Sequence, residues 1–172
     1  MKILEKELND NMGLEIEWTR TTEVLERYAE VFIQQARARL QSNNSLASQN
    51  LFNNMKPLIQ IGEERVSVSL YLEDYWVYLE NGRKAGKLPP FPKIRDWVEV
   101  KGIDFGKGKD SAAWAITKSI GKNGTKPHPF LQPTKDDVNP QFENELMYAV
   151  QEDIAAYIEN VLMYYYDILK GK

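Results

Sequence analysis

From Asn139 to Leu169 the chain places an apolar side chain every three or four residues, at Phe142, Leu146, Val150, Ile154, Ile158, Val161, Tyr165 and Ile168. That is the spacing of one face of an α-helix. Asn139 supplies an N-cap and Pro140 suits a first helical turn, which places the start there. A helix of roughly thirty residues at 1.5 Å per residue is about 45 Å long. A compact domain made from 172 residues has a diameter of only about 40 Å. The segment therefore spans the whole fold or projects past it, unless it breaks near Asn160, which the pattern leaves equally open.

A second amphipathic helix begins at Thr21 or Thr22, either of which can cap it with Glu23 in the first turn, and carries Leu25, Tyr28, Phe32, Ala36 and Leu40 on one face. Glu26, Arg27, Glu30, Gln34 and Arg37 fall on the opposite, solvent-facing side, and residues 1–19 before it are a candidate N-terminal arm. A polar run from Gln41 to Ser48 reads as a loop, after which the period changes from three-four to two. Lys56 to Ile61 and Arg65 to Leu72 flank a Gly62-Glu63-Glu64 turn, and Val66, Val68, Leu70 and Leu72 alternate with polar neighbours. This predicts a hairpin with one buried and one wet face.

Short helices follow. One carries Tyr75, Tyr78 and Leu79 and stops at Gly82; another opens with Pro92, carries Ile94, Trp97 and Val98 and ends near Gly102; a third, capped by Asp110 or Ser111, runs through Trp114, Ile116 and Ile120. Residues 121–133, with Pro127, Pro129 and Pro133, read as irregular. With no repeat and no long linker, the expected architecture is one α+β domain over residues 1–172, a small antiparallel hairpin sheet packed by long N- and C-terminal helices with short helices between.

The composition narrows the chemistry. There is no cysteine, which removes disulfides, thiolate nucleophiles and Cys-ligated metal sites, and fits a chain kept in a reducing compartment. There is a single histidine, His128, so no multi-histidine metal site exists and histidine-based acid/base chemistry would rest on one residue. His128 lies between Pro127 and Pro129, where a structural role in an extended segment is expected, with Phe130 and Leu131 as an anchor pressed into an apolar groove. Met1 to Asn11 mixes charges with isolated apolar residues, unlike a signal peptide, and no apolar run is long enough to span a membrane.

Other sites fail on spacing. Gly82-Arg-Lys-Ala-Gly86-Lys87-Leu88 has one residue too few between its glycines for a phosphate loop, and Leu88 stands where a Ser or Thr is required. The adjacent acids Glu63/Glu64, Asp136/Asp137 and Glu152/Asp153 carry no sign of the cross-cleft geometry of a glycosidase, and no calcium loop occurs. No metal or cofactor is expected, and the catalytic options that composition leaves are carboxylates, Lys or Tyr, for which no motif is present.

Charge and aromatics are more informative. A net charge of -3 argues against a general polyanion binder, yet residues 83–109 hold eight basic against three acidic side chains, +5 within a remainder of -8. Aromatics cluster at Tyr71, Tyr75, Trp76 and Tyr78, most of which a core would claim, and at Tyr164, Tyr165 and Tyr166. Three consecutive rings on a helix point three ways, so some must be exposed or meet a neighbour.

The stretch from Tyr75 to Ile103, with its Glu80-x-Gly82-Arg83, Pro89-Pro90, Trp97 and Lys101-Gly-Ile103 spacing, resembles head-to-tail connector proteins of tailed bacteriophages, the tail-completion, neck or minor-tail family, with gut-phage and crAss-like versions most alike. Pro127-His-Pro-Phe-Leu-x-Pro133 is a second anchor, and the order of elements agrees over residues 20–160. The resemblance implies a non-enzymatic virion subunit, made in the host cytoplasm, that forms a homo-oligomeric ring with portal or adaptor and tail proteins around the channel through which DNA passes. Charge sorted along the chain suits head-to-tail contact. The expected interface or channel residues are Arg83, Lys84, Lys87, Lys107, Lys109, Phe130, Tyr164 and Tyr166. Two other classes remain: a nucleic-acid-binding module using residues 83–109, and a carboxylate hydrolase.

Overall fold

The computed structural model describes residues 15–42, 49–62 and 65–171. Among the described residues six helices and one two-stranded antiparallel sheet lie in the order α1 (Thr19–Ser42), α2 (Gln49–Asn54), β1 (Lys56–Ile61), β2 (Val66–Tyr71), α3 (Trp76–Asn81), α4 (Phe91–Lys101), α5 (Lys109–Asn123) and α6 (Leu131–Leu169). The fold is α+β, with long helices at both ends of the chain and a hairpin sheet between. The core of the Gln41 to Ser48 run, the Glu63-Glu64 turn and most of the N-terminal arm lie outside the described residues. Contacts divide the chain into two compact units, Met1–Val31 with Pro57–Ser69 and Val138–Lys172, and Phe32–Lys56 with Leu70–Asp137.

In the first unit the start of α1 runs antiparallel to α6, because contacts climb α1 as they descend α6. Asp153 accepts the N–H groups of Arg20 and Thr21 at 3.1 and 2.9 Å, Arg20 pairs with Glu152 at 3.1 Å, and Arg27 pairs with Glu145. Tyr28 sets its ring edge-on to Phe142 at 5.6 Å and donates its hydroxyl to Asn139. Burial raises the Tyr28 pKa above its ordinary value, since the phenolate would be desolvated. Asp153 is only 5% exposed, and two free N–H groups of the first turn of α1 give its charge the partners that burial demands. Its place is thus not the solvated helix face that its sequence neighbourhood suggests.

In the second unit Phe32, Ile33, Ala36 and Leu40 of α1 are buried, as the apolar periodicity requires, together with Leu51 and Met55. Arg37 departs from the expected solvent-facing side. Its guanidinium donates to the carbonyls of Phe52 and Met55 and lies over the Phe52 ring, closing the otherwise unpaired end of the six-residue α2. α4 packs on α5 around Val98, Ala112 and Ala113, with Ile94, Trp97, Ile103 and Ile116 against them. Gly102 ends α4 in the left-handed conformation and Ile103 N–H returns to the Val98 carbonyl, the helix-stopping arrangement that the sequence signals.

The last helix differs most from expectation. It starts at Leu131, eight residues before Asn139, and runs unbroken to Leu169 with Pro140 inside it. Helical residues 121–123 and 131–133 also replace part of the irregular stretch expected from Gly121 to Pro133. A helix leaves its first N–H groups without partners. Here the Glu80 carboxylate takes those of Phe130, Leu131 and Gln132 at 2.8, 2.9 and 2.8 Å, and Pro133 has no N–H to satisfy. Pro140 deletes one interior hydrogen bond, at a cost of about 3 kcal/mol. Anchors on both sides hold the helix through it: Asp137 pairs with Arg39, Val138 is fully buried, and Asn139 and Phe142 engage Tyr28. The hairpin face is also drier in expectation than in fact, since Val66, Val68 and Leu70 are only half-buried and β1 exposes Leu58 and Ile61.

Candidate functional site

The two sequence anchors, Gly82-Arg83 and Pro127 to Pro133, lie side by side. Arg83 and Thr125 exchange both backbone hydrogen bonds, at 3.1 and 2.8 Å, and His128 N–H donates to the Leu79 carbonyl at 2.7 Å. Two glycines permit this approach. A Cβ on Gly82 would sit 2.5 Å from the Thr125 carbonyl oxygen, one on Gly124 would sit 2.1 Å from that of Arg83, and both residues have positive φ. His128 is thus held by its backbone, and the segment it belongs to rests on α3 and the loop after it.

This arrangement sorts the expected interface residues. Phe130 is 0% exposed, so it belongs to the interior and offers nothing to a neighbour or to DNA; the Glu80 clamp on its N–H aims the ring inward. Arg83 is committed as well, donating to the carbonyls of Lys87 and Leu88 at 3.1 and 3.2 Å and stacking over Tyr78 at 5.1 Å. It shapes the loop from which Lys84 and Lys87 project. Tyr78 and Tyr71 are exposed, against the expectation that a core would claim most of this group: Tyr78 serves as the platform for Arg83, and Tyr71 is the last residue of β2.

Lys109 pairs with Glu99 at 2.7 Å and Arg95 with Asp110 at 2.6 Å, stitching α4 to α5. The hydrogen bond and charge of Lys109 hold the Glu99 carboxyl below its ordinary pKa, and the Asp110 hydrogen bond and charge raise that of Arg95. Lys84, Lys87 and Lys107 are exposed and make no ion pair among the described residues. Lys107 sits on a loop ordered by Asp104, whose Oδ1 accepts the N–H groups of Gly106 and Gly108 at 2.8 and 3.1 Å. The positive charge of the 83–109 segment that meets no acid among the described residues therefore lies on these lysines with Lys93, Lys101 and Arg83, whose hydrogen bonds go to neutral carbonyls.

Tyr164 and Tyr166 stand at the far end of α6. The three tyrosines are all exposed, Tyr164 meeting Tyr165 edge-on and Lys170 lying over Tyr166. They are part of a larger feature: beyond Asp153 no residue of α6 is buried, and Ile154, Ile158, Leu162, Met163, Ile168 and Leu169 are exposed. Sixteen residues of helix amount to about 24 Å. The apolar rhythm was visible in the sequence, but its lack of cover was not.

Among the described residues the paired acids Asp136/Asp137 and Glu152/Asp153 each have partners of their own. Asp136 accepts from the Gln132 amide, Asp137 from Arg39, Glu152 from Arg20 and Asp153 from α1. A cleft of about 340 Å³ lined by Trp18, Thr19, Thr22, Glu23 and Ile61 contains a single acid. Among the described residues no three metal-ligating side chains cluster, and no helix is long and apolar enough to cross a membrane. Comparison with protein-family models, with curated proteins and with solved structures returns no match.

Proposed function

We propose that this chain is a non-enzymatic, ring-forming subunit of the head-to-tail connector of a tailed bacteriophage, set between portal or adaptor and tail in the virion neck. The observation that carries the reading is the C-terminal half of α6, where aliphatic and aromatic side chains from Ile154 to Leu169 face solvent on a helix whose earlier turns pair with α1. Contiguous exposed apolar surface of this kind marks contact with other chains. Segregated charge adds direction, because a ring needs one surface of each subunit to fit a different surface of the next. Lys84, Lys87 and Lys107 are the candidates for an acidic neighbour or the DNA path. The resemblance of residues 75–103 and 127–133 supplies the biological setting, and those two stretches meet where His128 N–H donates to the Leu79 carbonyl and Phe130 N–H to the Glu80 carboxylate.

Light scattering and electron microscopy of the purified protein, alone and with the portal and tail proteins of its virion, test this. Rings, or docking onto a portal complex, are the expected result. A monomer that ignores those partners yet binds DNA with steep salt dependence would replace the connector by a nucleic-acid-binding module using the same lysines.

A further inference from the structure

Two stretches of the second unit, residues 81–95 and 111–135, contain no aspartate or glutamate and together carry +9 in a chain whose net charge is -3. The fold sets them against each other. Arg83 and Thr125 exchange both backbone hydrogen bonds, Gly86 N–H donates to the Gly121 carbonyl at 2.8 Å, the Leu88 side chain fills the place that a Cβ on Gly121 would take, and Phe91 stacks on Trp114 at 4.7 Å. The segment from Arg83 to Phe91 therefore runs back along α5 from its C-terminal end.

These contacts redraw the basic region that the sequence placed at 83–109. At 100° per residue Trp114, Lys118 and Lys122 fall within about 80° of one another on the exposed side of α5, and Gly121, which receives the loop, lies at the edge of that side. Lys118 and Lys122 thus stand beside the loop that bears Lys84 and Lys87, and Lys126 directly follows the bridge partner of Arg83. All five lysines are exposed and make no ion pair among the described residues. Of the four acids that border the two stretches three are engaged: Glu80 holds three N–H groups, Asp110 pairs with Arg95, and Asp136 accepts from Gln132. Lys107 belongs elsewhere, before the first turn of α5 and about 20 Å along the helix from Lys122.

The backbone beneath these lysines is ordered, since Arg83 donates to the Lys87 and Leu88 carbonyls and Gly86 is tied to α5. Such a surface meets a ligand without first having to be organised. Its chemistry also selects the ligand. Lysine is depleted from the desolvated centres of protein contacts, whereas lysines that stay wet can neutralise phosphates and release counterions. Ser111, Ala115 and Ser119, exposed between and beside Lys118 and Lys122, leave room for a backbone to come close.

We infer that Lys84, Lys87, Lys118, Lys122 and Lys126 form one surface that binds the phosphate backbone of duplex DNA without regard to base sequence. The inference rests on the connector reading for the presence of DNA and on the fold for where the DNA lies. The acidic excess of the chain falls outside the two stretches, so the local potential is opposite in sign to the average.

Binding of a short fluorescein-labelled duplex of mixed sequence to the full-length chain, followed by fluorescence anisotropy as salt is raised, tests this. Affinity should fall with a logarithmic slope of about -4.5, the value for five neutralised phosphates. Lys118→Gln with Lys122→Gln should reduce that slope by about two with unchanged thermal unfolding, and a duplex of different sequence should bind equally well. Lys101→Gln with Lys107→Gln should leave the slope as it is. Absence of salt-dependent binding, or equal losses from the two pairs, overturns the surface. Intact DNA binding by a Lys118→Gln, Lys122→Gln chain that no longer assembles also overturns it, and would give these lysines to an acidic protein neighbour. Rings or portal docking without DNA binding would remove this surface and leave the connector reading, whereas DNA binding through these lysines by a chain that neither forms rings nor docks would do the reverse.

Discussion

Glu80 reaches Phe130 across fifty residues of sequence, accepting its N–H at 2.8 Å, and with the same carboxylate it closes the N-terminus of α6. Three donors that would otherwise be left without partners are satisfied by one acid from α3, and the negative charge suits the positive end of the helix dipole. Glu80→Ala should cost about 2 kcal/mol, lowering Tm by roughly 4–8 °C in a chain of this size. Glu80→Gln, which keeps an acceptor oxygen without the charge, should lose less. Thermal unfolding followed by circular dichroism checks both, and equal losses would show that charge contributes nothing.

The close approach of the Arg83 and Thr125 strands depends on Gly124. Gly124→Ala forces a Cβ to within 2.1 Å of a carbonyl oxygen at a positive φ, so it should destabilise by more than about 1 kcal/mol. Hydrogen exchange at the Arg83 and Thr125 amides should accelerate, because those hydrogen bonds are the ones displaced.

Glu99 has its pKa lowered by Lys109, so the pair stabilises the fold above the ordinary glutamate range of about pH 4.3 and loses that contribution as pH falls through the depressed value. In an NMR titration Glu99 should therefore titrate below the ordinary value. Lys109→Met should move it upward, since hydrogen bond and charge vanish together. Both groups are exposed, so the effect on overall stability should be small.

Charge reversal separates two roles within one loop. Lys84→Glu with Lys87→Glu should weaken assembly and leave the Tm of the monomer within about 0.5 kcal/mol equivalent, as at other surface sites. Arg83→Glu should lower Tm as well, because it removes the donors to Lys87 and Leu88 and the stack on Tyr78. Sedimentation paired with thermal unfolding distinguishes the two.

Elements whose signal is local were legible. The apolar faces of α1 and α6, the alternation of Val66, Val68 and Leu70 and the glycine stop at Gly102 each depend on residues a few positions apart, and each is present. Prolines misled for the same reason. Pro133 read as a break and Pro140 as a first-turn residue because, within a few residues, a missing N–H has no compensation; Pro133 instead occupies the first turn, where none is needed, and Pro140 lies inside the helix, held by anchors that come from α1. Arg37 and Asp153 misled oppositely. Their charge promised solvent, and both are taken up by backbone groups far away in sequence.

The candidate site divides along the same line. Residue type and order determined an α+β fold with long terminal helices, a chemistry without thiols, a basic middle segment and tyrosines too many for one core. Tertiary structure decided which of the named residues face outward. Phe130 and Arg83 are drawn into the fold by Glu80 and by neighbouring carbonyls, while Lys84, Lys87, Lys107 and the stripe from Ile154 to Ile168 are left at the surface. The reason is that a helix's periodicity records which side is apolar, whereas contact with another element, as where the first turn of α1 meets Asp153, depends on groups far away in sequence.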